Sequence, residues 1–555
     1  MATITLGKIA FQWRGAYDAG TTYAKQDVVS QNGDSYVCLA DGTVGVTPVA
    51  GPKWDLFAQG SANVGANPGD LIYHNGTQLA ALPIGDPGQV LQVSPITLLP
   101  VWGPADVRSS TRVKALPASV TEKHEQVLSY RSHGVIMNDD SIRMWGDNSN
   151  SKLGDGTSNT RSYPVRPGFA PGFPGAAKLY TMYNSSAYCI DLNGKLWTWG
   201  YNGYGHLGTG DTSNRTIPYC ASDNALNSIN GKIVTHVAVP CGVEGYQTVM
   251  VLCDDGTVHS CGYNGYGQLG QGDTAQRNNF QLVPALSNIV DIALGRERYT
   301  AAYAVTATGQ LYSWGYNGNS QLGSGNATQS NLAMLRNLGS ISGKVIKKVF
   351  TGYISAYALD DEGTLHSCGE SNYGQLGLGS TATQSTFAAA LTEVEDFYAG
   401  GHDYPIVFAK KTDGSLWAAG SGAYGANADP SASNRTSFQQ VDLGQPVQKV
   451  VHSGTGSYNW TAALLADGTV DMWGYNGNGV LMRGDTASPQ YFASRSKVPT
   501  GNLKVVDISC WNQSSEQSIA FLMEDGQLLV GGYAGGTSLP EDDSENSYAP
   551  MPVPF

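Results

Sequence analysis

The sequence predicts an all-β chain dominated by a β-propeller, on three observations. A glycine closing a Trp-Gly-like pair recurs at Gly146, Gly200, Gly262, Gly315, Gly369, Gly420, Gly474 and Gly532, at steps of roughly 50–60 residues, a period typical of propellers and stacked arrays. A turn pair stands just upstream in most copies: Asn193-Gly194, Asp255-Gly256, Asp413-Gly414, Asp467-Gly468 and Asp525-Gly526. Such pairs accept positive φ and close tight hairpins. The composition agrees, with 70 Gly, 30 Tyr and 11 Trp in 555 residues and only 14% charged side chains. Many short strands joined by turns fit this profile, and helical bundles and charged disordered chains do not.

Taken in order, residues 1–60 lie outside the repeat. Phe11-Gln-Trp-Arg-Gly-Ala-Tyr17, Tyr23, Asp27-Val-Val29, Gly33, Tyr36-Val37, Pro48 and Trp54-Asp-Leu56 form a pattern that resembles the small three-stranded carbohydrate-binding module of chitinases, a module also found near the N-terminus of phage fibre proteins. In so small a unit Trp13, Tyr23, Tyr36 and Trp54 are expected to form the core before they form a sugar platform. Residues 61–106 are rich in Gly, Pro, Asn and Asp, and predict a β-rich stalk or linker. Their wording, Gly69-Asp-Leu-Ile-Tyr73, then Leu82-Pro-Ile-Gly-Asp-Pro-Gly-Gln-Val-Leu91 and Pro100-Val-Trp-Gly103, resembles tail and fibre proteins of tailed bacteriophages.

Residues 107–555 hold the repeats. Leu196-Trp-Thr-Trp-Gly-Tyr-Asn-Gly-Tyr-Gly-His-Leu-Gly208 returns as Val258-His-Ser-Cys-Gly-Tyr-Asn-Gly-Tyr-Gly-Gln-Leu-Gly270 and as Leu311-Tyr-Ser-Trp-Gly-Tyr-Asn-Gly-Asn-Ser-Gln-Leu-Gly323. Apolar pieces such as Val249-Met-Val-Leu252 and Ala301-Ala-Tyr-Ala-Val305 are of strand length. One such unit cannot bury both faces alone, and radial closure leaves the fewest open edges. The words resemble the regulator-of-chromosome-condensation repeat. That resemblance implies a propeller, for which the copies count eight blades and the familiar members of the family have seven. The His that the family usually carries eight residues before the turn glycine is replaced by Ser186, Thr248, Ala301, Ser355, Ile406, Trp460 and Ser518, and copies six and eight lack the Gln-Leu-Gly.

Candidate ligand-binding residues are aromatic. One tyrosine follows the Trp-Gly position directly, at Tyr201, Tyr263, Tyr316, Tyr475 and Tyr533, and a second set stands three residues further on, at Tyr204, Tyr266, Tyr373 and Tyr424. The period puts them on one rim, and packing of one set between blades is the alternative reading. Flanking glycines leave the second set few local neighbours, and Asn202, Asn264, Asn317 and Asn476 offer amides for sugar hydroxyls. Trp145, Trp199, Trp314 and Trp473 are read as core wedges, since Cys261 and Cys368 occupy the same position.

Catalytic, cofactor and metal sites are not expected. The chain has no G-x-S-x-G, H-E-x-x-H, P-loop or Rossmann pattern. Its eight cysteines form no C-x-x-C pair and read as reduced apolar fillers. The acids Glu393, Glu395 and Asp396, and the run Glu541-Asp-Asp-Ser-Glu545, could form a glycosidase pair but read as solvated loops, and Arg296-Glu297-Arg298-Tyr299 reads as a salt-bridged connection. A net charge of −13 disfavours nucleic acid and anionic membranes as partners. Met1 to Ala10 lacks signal-peptide character and no stretch is long and apolar enough to span a bilayer. The expectation is a non-enzymatic phage virion protein, a tail fibre or receptor-binding protein synthesised in the host cytoplasm. Its N-terminal region meets other tail or virion proteins and its propeller meets a host-surface glycan or protein. A virion spacer without receptor contact and a polysaccharide-degrading enzyme are the alternatives.

Overall fold

The computed structural model describes residues 12–24, 27–31, 34–38, 43–44, 47, 54–58, 71–74, 79–82, 89–93, 100–104 and 128–129, and then 132–553 apart from 183–185, 241–245, 296–298, 353, 401–403, 430, 454–457, 478, 484, 487–495, 499–502, 514–515 and 533–546. Two compact units are present, residues 1–109 and 110–555.

In the first unit, Gln12–Ala16, Asp27–Gln31, Asp34–Cys38 and Trp54–Ala58 form one sheet in chain order, four strands where three were expected. The first pair is parallel and the others antiparallel. Tyr23 and Val29 are buried, and the Tyr17 ring stacks on Tyr23 at 5.7 Å. Tyr23 is therefore core, as expected; the side chains of Trp13, Tyr36 and Trp54 lie outside the described residues. Two hairpins follow, Leu71–His74 with Leu79–Leu82 and Gln89–Val93 with Pro100–Pro104.

The second unit contains eight four-stranded sheets among the described residues, each made from consecutive strands. They are the blades of the propeller, numbered 1 to 8 along the chain. Blade 2 is representative: Ala176–Met182, Ser186–Asp191, Leu196–Gly200 and Arg215–Cys220. The predicted turn pairs join the second and third strands, where Gly194 at φ 77° donates its amide to Asp191 O. Most second strands are buried throughout, as in Ser186–Asp191, Thr248–Cys253, Ala301–Thr306 and Ser355–Asp360. A strand covered on both faces needs no polar alternation, which explains their continuous apolar runs.

Eight apolar clusters hold the ring, each at one junction between neighbouring blades. Closure is made by Val135, Met137 and Trp145 of blade 1 against Ala520, Leu522, Leu528 and Val530 of blade 8. The innermost strands open on a buried aliphatic, such as Val234, Ile289 and Ile346, and bulge two residues later. Several of these bulges carry a charged side chain that crosses to the next blade. Lys178 Nζ donates to Thr235 O at 2.9 Å, Asp291 accepts from Val349 N at 3.1 Å, Lys348 pairs with Asp396, and Lys449 pairs with Asp507 at 2.8 Å.

Candidate functional site

The loops between third and fourth strands share one face of the propeller with the loops between first and second strands. Within the Tyr-Asn-Gly word the asparagine organises the loop. Asn202 Oδ1 accepts Leu207 N at 2.9 Å, while its Nδ2 donates to Thr209 Oγ1 and Asp211 O at 2.9 Å. Asn148, Asn264, Asn317 and Asn476 make the same inward contact to Leu153, Leu269, Leu322 and Leu481. These amides are completely buried. They cannot bond a sugar, which corrects the sequence expectation: an unpaired main-chain amide in a buried loop costs more than an exposed asparagine gains. Arginine clamps close the same loops, with Arg215 on Asp211 at 2.8 Å and Arg277 on Asp273 at 2.6 Å.

The first tyrosine set folds back over its own loop. A Cβ on Gly203, Gly265, Gly318 or Gly477 would collide with the phenol of Tyr201, Tyr263, Tyr316 or Tyr475, which accounts for the glycine two residues after each tyrosine. Burial raises the phenol pKa of Tyr201, Tyr316 and Tyr475. The second set reaches the next blade. Tyr204 meets Tyr263 at 5.7 Å, Tyr266 meets Tyr316 at 5.2 Å and Tyr424 meets Tyr475 at 5.3 Å, all edge-on. These rings thus pack between blades, with neighbours that come from the adjoining repeat.

A third set was missed in the sequence. Tyr246, Tyr299, Tyr404 and Tyr458 each precede a second strand by two residues. Tyr246 lies 4.5 Å from Tyr263, Tyr299 4.5 Å from Tyr316, Tyr458 4.6 Å from Tyr475, and Tyr404 5.5 Å from Tyr373. The signal is a fixed offset of sixteen residues before Gly262, Gly315, Gly420 and Gly474, hidden because the surrounding words differ. The three sets form a belt across blades 2 to 7, with every described ring half-buried. At the junction of blades 4 and 5 the aromatic pair is replaced by Asn319 Nδ2 donating to Glu370. At blade 1 the belt gives way to the ion pair Lys152–Asp147 at 2.6 Å. Tyr533 lies outside the described residues.

The proposed acid pair is dispersed: Glu393 meets Lys411 at 3.0 Å, Glu395 meets Lys410 at 3.1 Å, and Asp396 meets Lys348. Glu395 and Asp396 stand in the inner strand Val394–Gly400, with Glu393 just before it; Glu393 and Glu395 are solvent-exposed, and all three are ion-paired. The segments 296–298 and 541–545 lie outside the described residues. On the opposite face, Ser340 Oγ lies 2.7 Å from His366 Nδ1, and His366 Nε2 lies 3.0 Å from Asp360 Oδ2. Blade 3 repeats the first contact with Ser228 and His259 at 2.6 Å, and blade 2 replaces the second with Trp197 Nε1 donating to Asp191 at 2.9 Å. Recurrence with changed chemistry marks a clip between a connecting loop and the third strand. Among the described residues no cluster of three metal-ligating side chains exists, and no helix is long and apolar enough to cross a membrane.

Fold and face together define an eight-bladed repeat propeller with an aromatic loop surface. The repeats are RCC1-like: the model of the Regulator of chromosome condensation (RCC1) repeat matches residues 193–244 and 255–302, and a second model of that repeat matches 234–268. The chain is similar to the ultraviolet-B receptor UVR8 of Arabidopsis thaliana, 25% identical over 437 residues, covering 74% of this chain and 93% of the relative. It is also similar to the E3 ubiquitin-protein ligase HERC2 of Homo sapiens, 27% identical over 250 residues, covering 44% of this chain but only 5% of that protein. Similar solved structures include human WBSCR16 at TM-score 0.47 and 19% identity, covering 74% of this chain and 93% of that one. Prp20p of Saccharomyces cerevisiae stands at TM-score 0.47 and 16% identity, covering 66% and 84%.

Proposed function

We propose that the chain is a non-enzymatic binding protein that offers its tyrosine belt to a macromolecular ligand. The observation that carries this reading is the belt itself: three sets of half-buried rings converge on one face across six blades. Rings that only filled a core would be covered. Rigid tyrosines present large apolar faces at small entropic cost, and a repeated ring spacing suits a repetitive ligand. With the loop asparagines turned inward, ring stacking and phenol hydroxyls do the recognising.

The finer part of the proposal places the chain on a virion of a tailed phage, as a tail fibre or receptor-binding protein. It rests on the fibre-like wording of residues 66–103 and the module-like pattern before it. Residues 1–104 attach to other virion proteins, and the propeller meets a host-surface glycan or protein. Two measurements test this. Antibody against the full chain should decorate purified particles in electron micrographs, and fluorescent full-length chain should bind intact cells of some strains in a typed bacterial panel. Undecorated particles remove the virion role. Absence of binding to every strain and to a glycan array removes host-surface recognition.

A further inference from the structure

The word that builds the tyrosine belt is altered at three positions around the junction of blades 4 and 5. Glu370 stands where other copies have Tyr201, Tyr263, Tyr316 and Tyr475, and Asn372 where they have Gly203, Gly265, Gly318 and Gly477. In blade 4, Asn319 takes the place held by Tyr204 and Tyr266. The three altered residues meet: Asn319 Nδ2 donates to Glu370 Oε2, and Asn372 Nδ2 donates to Glu370 Oε1. The break in the belt therefore holds a carboxylate.

In the other loops between third and fourth strands, the described carboxylates are matched within the chain. Asp147 pairs with Lys152, Asp155 with Arg161, Asp211 with Arg215, Asp273 with Arg277, Asp429 with Arg435 and Asp485 with Arg483. Glu370 differs. Among the described residues it has no ion pair, and its carboxylate accepts hydrogen bonds only from the two neutral amides. The loops on either side of the break, residues 316–330 and 370–384, contain no Lys or Arg. The Glu370 side chain is half-buried, and it stands near the belt: the Tyr316 phenol pKa is raised by burial first, then by the Tyr299 and Tyr266 phenols, and then by Glu370. A half-desolvated carboxylate answered only by amides is completed best by a cation from outside. Neighbouring tyrosine rings favour the same sign of charge.

The amides narrow the kind of cation. Each spends its Nδ2 on the carboxylate, and neither Asn319 Oδ1 nor Asn372 Oδ1 accepts a hydrogen bond among the described residues. A primary ammonium has three donors, enough for the carboxylate and both amide oxygens, whereas a quaternary ammonium has none. An amino sugar carries its ammonium on a ring carbon beside hydroxyls, which the amides and the Tyr316 phenol can partner. A lysine side chain brings its ammonium on a bare methylene stem and leaves those groups unanswered.

We propose that Glu370, Asn319 and Asn372 form a subsite for the free ammonium of an amino sugar in a glycan bound along the tyrosine belt. The inference rests on the belt as the ligand face and adds the charge of the ligand. The probes are the hexamers of glucosamine, N-acetylglucosamine and lysine, titrated calorimetrically into the full chain at low salt. The glucosamine hexamer should bind at least tenfold more tightly than its acetylated form, which keeps the sugar rings and loses the charge. Glu370→Gln should abolish that preference with the thermal transition unchanged. Should that variant misfold, Asn372→Gly decides: it restores the residue of the other copies and should weaken binding of the glucosamine hexamer alone. The inference is overturned by a parent chain without amine preference, by a preference that survives Glu370→Gln, or by a folded Asn372→Gly chain that binds as the parent does. A lysine hexamer bound as tightly as the glucosamine hexamer also overturns it, in favour of a basic peptide. The belt is judged apart from this: cell binding lost on replacing Tyr204, Tyr266 and Tyr373, without any amine preference, keeps the belt and removes the subsite.

Discussion

Trp314 donates its indole Nε1–H to the main-chain carbonyl of Gln268, 2.9 Å away in the preceding blade. Trp199 reaches Lys152 O and Trp473 reaches Ala426 O in the same way, each at a blade junction. Where the repeat has cysteine, the thiol takes over: Cys261 Sγ donates to His206 O and Cys368 Sγ to Gln321 O, both at 3.3 Å. At these five positions the donor is kept while the ring is dispensable. The wedge reading of these residues follows from that geometry.

Trp314→Phe keeps most of the ring and removes the donor. Its cost should be about 1–3 kcal/mol, the penalty of a buried carbonyl left without its partner, read as a lowered midpoint in chemical denaturation. An unchanged midpoint would show that the junction is held by area alone.

The strand-closing glycines are required by both conformation and space. Gly262 sits at φ 106°, where a Cβ would collide with Gln247 O, whereas Gly231 at φ 76° meets nothing within 4 Å. Gly262→Ala should destabilise by more than about 3 kcal/mol and Gly231→Ala by roughly 1 kcal/mol. Equal effects at the two sites would remove the steric part of this explanation.

Acid sensitivity should come from buried imidazoles. Burial pulls His206 down to about 3 and His259 and His452 to about 4, from an ordinary 6.5. The unfolded chain binds protons below pH 6.5 that the folded chain refuses. Stability is therefore flat above pH 7 and falls as pH drops from about 6.5 toward 4. His206 stands at the Gln position of the repeat, and its 2.9 Å contact with Ser186 Oγ has a counterpart in Gln375 Nε2 donating to Ser355 Oγ at 3.3 Å. His206→Gln should fold and remove roughly 2 kcal/mol of the loss between pH 7 and 5. Melting curves at the two pH values, compared with the parent chain, decide this.

The inward turn of the loop asparagines gives a separate expectation. Asn264 Oδ1 accepts Leu269 N at 2.9 Å and its Nδ2 donates to Asp273 O at 3.0 Å and Ala275 O at 3.1 Å. Asn264→Ala should cost about 2–4 kcal/mol by leaving buried main-chain groups unpaired. Unaltered stability with lost ligand binding would restore the amide to the recognition surface.

The blade count, the hairpins and the wedges were legible in the sequence because each is a local word repeated at one period. The same period placed Tyr204, Tyr266, Tyr373 and Tyr424 on one face. What surrounds them was not legible, since Tyr204 packs on rings from the adjoining copy and Tyr246 belongs to a loop whose words vary. The direction of Asn202 was likewise hidden: sequence names an amide but not the main-chain groups it must satisfy. The crossings Lys348 to Asp396 and Lys449 to Asp507 span 48 and 58 residues, so only blade stacking brings their charges together.

Binding of the triple variant Tyr204→Ala, Tyr266→Ala, Tyr373→Ala tests the central claim most directly. Each lost ring pair costs about 0.5–1.5 kcal/mol, so the eight junction clusters should keep the variant folded, judged by a cooperative transition at modestly lower temperature. The measurement is the equilibrium binding of the labelled variant and the parent chain to the same intact bacterial cells. The account predicts a folded variant whose binding falls at least tenfold. A folded variant that binds as tightly as the parent contradicts it, and places recognition away from the tyrosine belt.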